Sequence, residues 1–168
     1  MNRTLKYVRI IICWLAVAVW MCLIFSMSSN DADVSTEQSG AFIRTLSSVF
    51  YRDFSELSAD EQSQIVAGLQ TVVRKLAHFT EYFGLGALLC LAIGNHIKKR
   101  MPLYLLSVSV GSVYAITDEL HQLTVPGRAG QVTDVLLDSL GVSVGAAFAV
   151  GAIALAASCR KRRLNSNK

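Results

Sequence analysis

The chain has 168 residues, of which 52% are hydrophobic and 17% charged, and its mean hydropathy is +0.43. A water-soluble domain carries about 25% charged residues, so the composition argues against one, and two prolines with 11 glycines exclude a collagen-like or low-complexity chain. The formal charge is +4, and where it sits matters more than its sum.

Four apolar runs approach the roughly 20 helical residues that a bilayer core about 30 Å thick requires. The first predicted span covers about residues 7–26, behind Arg3, Lys6 and Arg9. A cleaved signal peptide is the alternative, with Ser26-Met27-Ser28 as a small-x-small site. The run is longer than a signal-peptide core, so a retained span is expected.

Residues 27–74 form the only sizeable polar stretch, too small for a core of its own. Ser35-x-x-Gln38 and Ser58-x-x-Glu61 fit the capping-box pattern and predict two helix starts. Phe42, Leu46, Val49 and Phe50 share one face of the first helix, which would lie on the outer membrane surface or cap the bundle. The second carries Ile65, Val66, Leu69, Val72, Val73 and Leu76 at helical spacing and should run directly into span two. Packing accounts for both helices; a lid over an outer site is the functional alternative.

Span two is expected at about 76–97, span three at 102–119 and span four at 135–157, followed by a basic tail over 158–168. Span three is the weakest, since Ser107, Ser109 and Ser112 interrupt it. The basic residues Arg3, Lys6, Arg9, Lys98, Lys99, Arg100, Arg160, Lys161, Arg162, Arg163 and Lys168 all fall on one side of this arrangement. The positive-inside rule makes that side the cytoplasm and puts both termini there. The positive charge therefore reports topology, not nucleic-acid binding. Cys13, Cys22, Cys90 and Cys159 lie in or beside apolar runs without a CxxC pair and read as small hydrophobes.

The ionisable residues within the runs are unusual, because charge at membrane depth is costly. Span two opens with Lys75, His78, Glu81 and Tyr82; span three closes with Asp118, Glu119, His121 and Gln122; Arg128 lies in the next loop; span four opens with Asp134 and Asp138. All fall near the outer boundary. Residues three or four apart share a helical face, which aligns Lys75, His78, Tyr82 and Gly86 on span two. It aligns Ser107, Gly111, Tyr114 and Asp118 on span three, and Asp134, Asp138, Gly141, Gly145 and Ala149 on span four. Small residues at this spacing allow close helix contact in lipid, so the acids should point between the helices, into an outward-open polar pocket.

Three chemistries fit such a pocket. An acid and a histidine can act as general base and acid, with His78, Glu119 and Asp118 as catalytic candidates. His78, Glu81 and His121 are weak candidates for a divalent metal. Lys75 and Arg128 can hold a phosphate or carboxylate. No GxSxG, SxxK, P-loop or GxGxxG pattern is present, and no cofactor is expected.

The order Lys75-x-x-His78-Phe79-x-x-Tyr82, Asp118-Glu119-x-x-Gln122, Pro126-Gly127-Arg128, Asp134-Val135 and Gly141-x-x-x-Gly145 resembles the VanZ-like family, as does Phe25-Ser26-x-Ser28-Ser29 closing span one. The resemblance covers nearly the whole chain and is weakest over residues 35–65. It implies a small multi-pass bacterial membrane protein, the name-giving member being linked to low-level resistance to teicoplanin, a glycopeptide with a lipid tail. It implies no settled reaction. Lys75, His78, Tyr82, Asp118, Glu119, Gln122, Arg128 and Asp134 carry over as signature positions. Asp138 stands where the family pattern leads one to expect Asn.

The expected protein is thus an all-α, integral membrane four-helix bundle over residues 1–168, with an extracytoplasmic amphipathic helical segment between spans one and two. It would sit in the bacterial cell membrane and engage a cell-wall precursor or lipoglycopeptide, the bilayer being its other partner. A membrane-embedded hydrolase or transferase on an envelope lipid, and an ion-coupled transporter, are the alternatives.

Overall fold

The computed structural model describes residues 3–29, 32–50, 53–126 and 130–166, and these are helical with short connections. The helices are α1 (Arg3–Ser28), α2 (Ala32–Phe50), α3 (Ala59–Ile93), α4 (Arg100–Gln122) and α5 (Val132–Ser166), with a short 3-10 turn at Phe54–Glu56. No strand occurs among the described residues. Three helices, α1, α3 and α5, are long and apolar enough to cross a membrane. The helix of the third predicted span, α4, is not among them. Its 23 residues make it about 35 Å long, but serines and the pair Asp118-Glu119 dilute its apolar content.

As its spacing predicts, the outer segment runs without a break into span two. At 35 residues, α3 is about 52 Å long, well beyond the roughly 30 Å of a bilayer core. Its start is set by the expected capping box: the Ser58 amide donates to Glu61 Oε2 at 2.9 Å, and the Glu61 amide donates back to Ser58 Oγ at 3.4 Å. The other expected box does not begin a helix. α2 starts at Ala32, so Ser35 lies one turn inside it.

Gly40 of α2 faces Val66 and Gln70 of α3, and Ile43 packs with Val66 and Phe54. Rising numbers on α2 thus meet falling numbers on α3, and the two form an antiparallel hairpin. Ile43 makes this contact, whereas Phe42, Leu46 and Val49 stay exposed. The side chain of Phe50, expected on the same face, lies outside the described residues.

The core of the bundle lies between α3, α4 and α5. Backbones of α3 and α5 touch where glycines leave room. A β-carbon on Gly145 would overlap the Phe83 carbonyl, and one on Gly86 would overlap the Val142 carbonyl. This is the small-residue packing expected of helices that lack a water-driven hydrophobic effect between them. The first helix is latched on from outside. The Trp20 indole N–H donates to the Glu81 carbonyl at 2.9 Å, and the Tyr114 hydroxyl donates to the Met21 carbonyl at 2.7 Å. Around the periphery, large apolar side chains such as Ile11, Leu15, Val113, Leu140 and Phe148 face outward. A helix set apolar inside and out is what lipid surroundings require. α5 carries its helix through Arg160–Arg163, so the basic tail begins as a helical extension.

Candidate functional site

The predicted stripes converge, and they do so turn by turn along α3. At the start of the seam, Lys75 Nζ donates to Asp134 Oδ1 of α5 at 2.8 Å. One turn on, His78 Nδ1 lies 3.9 Å from Asp138 Oδ2. The next turn brings Tyr82, whose hydroxyl donates to Asp118 Oδ2 of α4 at 3.1 Å. Gln122, one turn beyond Asp118 on α4, directs its amide at the same oxygen from 3.5 Å. Three helices therefore supply one polar seam, ordered by the four-residue spacing legible in each.

Burial deepens along that seam. The Lys75 and Asp134 side chains are 37% and 21% exposed, whereas Asp138 is fully enclosed and Asp118 is 2% exposed. Glu119 is also buried. Its Oε2 accepts the Gln131 backbone N–H at 2.9 Å, tying the end of α4 to the start of α5. Asp138, on α5, has His78 Nδ1 as its charge contact. Neither of its oxygens accepts a hydrogen bond from the described residues, and Asp118 Oδ1 is in the same position.

Some expected site residues go elsewhere. His121 turns toward α1, stacking on Phe25 with ring centroids 4.4 Å apart and placing Nε2 3.1 Å from Ser29 Oγ. With His121 so engaged, the metal set His78, Glu81 and His121 does not assemble. Among the described residues no group of three or more His, Cys, Asp or Glu is placed to hold a metal ion. Lys75, a candidate for holding an anion, donates to Asp134, and its side chain is 37% exposed. Gly127 and Arg128 lie outside the described residues. Sequence spacing also missed the latches of α1. Trp20, Met21 and Ser29 act largely through backbone groups or across 60 and more residues, where no local pattern signals them.

A family model described as VanZ/LLP1 matches residues 13–155. The chain belongs to the VanZ/LLP1 family. No curated protein and no solved structure matches it. The VanZ/LLP1 match runs from within α1 to the apolar part of α5 and leaves the basic helical end outside. Every residue of the polar seam, from Lys75 to Asp138, falls inside it.

Proposed function

We propose that this protein is a four-span bacterial cell-envelope membrane protein with both termini cytoplasmic. In this reading its polar seam opens outward and engages a cell-wall precursor or lipoglycopeptide, contributing to resistance of the teicoplanin type. The observation that carries the reading is the enclosed pair Asp118 and Asp138, brought together from α4 and α5 against Tyr82 and His78 of α3. Apolar packing of the same volume is often as stable as buried charge, and an acid within a membrane span is costly. Retaining several favours a role in binding. Counting α4 as a span is supported by its outer face, where Leu105, Val113, Ile116 and Leu120 are exposed while Ser107, Gly111 and Asp118 turn inward. The orientation rests on the distribution of Lys and Arg.

The test is expression in a susceptible bacterium with teicoplanin challenge. Asp118→Asn and Arg128→Ala are expected to abolish the protection while leaving membrane expression intact. Unchanged sensitivity in both variants removes the seam from the mechanism.

A second reading, a hydrolase or transferase on an envelope lipid, is favoured by one observation. His78 Nδ1 lies 3.9 Å from Asp138 Oδ2, a charge contact too long for a hydrogen bond, which sets an imidazole and an acid side by side. Purified protein incubated with labelled envelope lipids tests it, and absence of product with and without divalent metal excludes it.

A further inference from the structure

We infer that Asp138 is the anchor for a primary ammonium group, so that the ligand of this site is an amine. The inference deepens the binding role proposed above and rests on it.

The first argument is charge. Asp118 and Asp138 are two enclosed carboxylates, and the Asp134 carboxylate four residues before Asp138 already holds a cation. Lys75 answers Asp134 at 2.8 Å. Lys75 is thus engaged, and the charge contact of Asp138 is His78, whose Nδ1 stays 3.9 Å from Oδ2. An anionic ligand would repel two enclosed carboxylates, whereas a cation would pair with them.

The second argument is hydrogen bonding. Asp138 is fully enclosed, and neither oxygen receives a donor from the described residues; Asp118 Oδ1 also lacks one. A buried acceptor left without a partner costs about 1–3 kcal/mol, more when charged. An occupant that brings positive charge and several donors would satisfy these oxygens. An ammonium group is compact and carries three donors, with no acceptor to satisfy. The protein already makes this contact once, four residues earlier on the same helix, where the Lys75 ammonium sits on Asp134.

The amine can belong to a soluble molecule or to a lipid headgroup, and one experiment separates these sources. The full chain is placed in phosphatidylglycerol nanodiscs and titrated with a short alkylamine and with its N-acetyl counterpart. A parallel series replaces part of the lipid with phosphatidylethanolamine or its N-acetylated form. Teicoplanin is titrated separately. The expected result is at least tenfold tighter binding of the amine than of the acetamide in the wild type, reduced to within twofold in Asp138→Asn. Asp118→Asn, also expected to weaken the preference, serves if Asp138→Asn does not fold. Competition by phosphatidylethanolamine alone among the lipids assigns the ammonium to the bilayer, and its failure to compete assigns it to a soluble amine. Equal binding of amine and acetamide, or an amine preference unchanged in both variants, overturns the inference. If teicoplanin binds but the alkylamine does not displace it, the ammonium assignment fails and the broader binding role stands. If the amine binds selectively and teicoplanin does not, the assignment stands and the glycopeptide reading fails.

Discussion

The Tyr82 hydroxyl and the Asp118 carboxylate meet at 3.1 Å across the interface of α3 and α4, both enclosed by protein. Tyr82 is the closest donor that Asp118 has, since Gln122 reaches the same oxygen only at 3.5 Å. Tyr82→Phe keeps the ring and removes the donor. In membrane proteins such bonds average about 0.6 kcal/mol and reach about 1.7, and the enclosed acceptor places this one toward the upper end. A double-mutant cycle of Tyr82→Phe with Asp118→Ala, read by thermal unfolding in detergent, is expected to show a coupling of about 1 kcal/mol. Additive single effects would mean that the contact contributes nothing.

Packing of α3 against α5 depends on two absent side chains. A methyl at Gly86 meets the Val142 carbonyl and one at Gly145 meets the Phe83 carbonyl, and neither backbone oxygen can swing aside as a flexible side chain would. Gly86→Ala and Gly145→Ala should each destabilise the bundle by about 1–3 kcal/mol, the usual cost of overpacking. Gly151→Ala is the control. Nothing lies within 4 Å of that position, and alanine is the better helix former by about 1 kcal/mol. Unfolding in a denaturing detergent series is expected to rank Gly151→Ala at or above the parent and the other two well below it.

Glu61 gives the extended start of α3 a dependence on pH. The Ser58 hydroxyl, and then its backbone N–H, hold the Glu61 carboxyl below its ordinary 4.5. A folded value below the unfolded one adds stability that is present above the unfolded value and is lost as pH falls through the folded value. Protection of the first-turn amides of α3 against hydrogen exchange, corrected for intrinsic rates, should therefore decline between about pH 5 and pH 3. Glu61→Gln should remove that decline while leaving the rest of α3 unchanged.

Where the seam could be read from sequence, it was because four-residue spacing alone decides which residues share a helical face. His78, Tyr82 and Gly86 on α3, with Asp138, Gly141 and Gly145 on α5, follow from that rule without any tertiary knowledge. Element ends were harder. Span three is read at about 102–119 with His121 and Gln122 at its close, and α4 runs to Gln122; Asp118, Glu119 and Gln122 are polar but buried, so polarity alone does not mark a helix end there. Spacing leaves the direction of His121 open. It lies three residues from Asp118, close enough in angle to be counted with the seam, but α1 packs on that edge and supplies Phe25 and Ser29. Which neighbour fills an edge is a property of the assembled bundle.

Cys159 allows the proposed orientation to be tested with the natural chain. Of the four cysteines, Cys90 is buried, while Cys13 and Cys22 lie within the apolar length of α1. Cys159 is exposed and directly precedes Arg160, Lys161, Arg162 and Arg163, beyond the apolar part of α5. A thiol at membrane depth reacts slowly with a charged maleimide, because the reactive thiolate is disfavoured there. Labelling by a membrane-impermeant maleimide should therefore report Cys159 above the others. With the basic end of α5 cytoplasmic, intact cells are expected to remain unlabelled, and inside-out vesicles to label at a site removed by Cys159→Ser. Labelling of intact cells at Cys159 would reverse the topology. It would also place Lys75, Asp134 and the enclosed carboxylates on the cytoplasmic side, where no external glycopeptide reaches them.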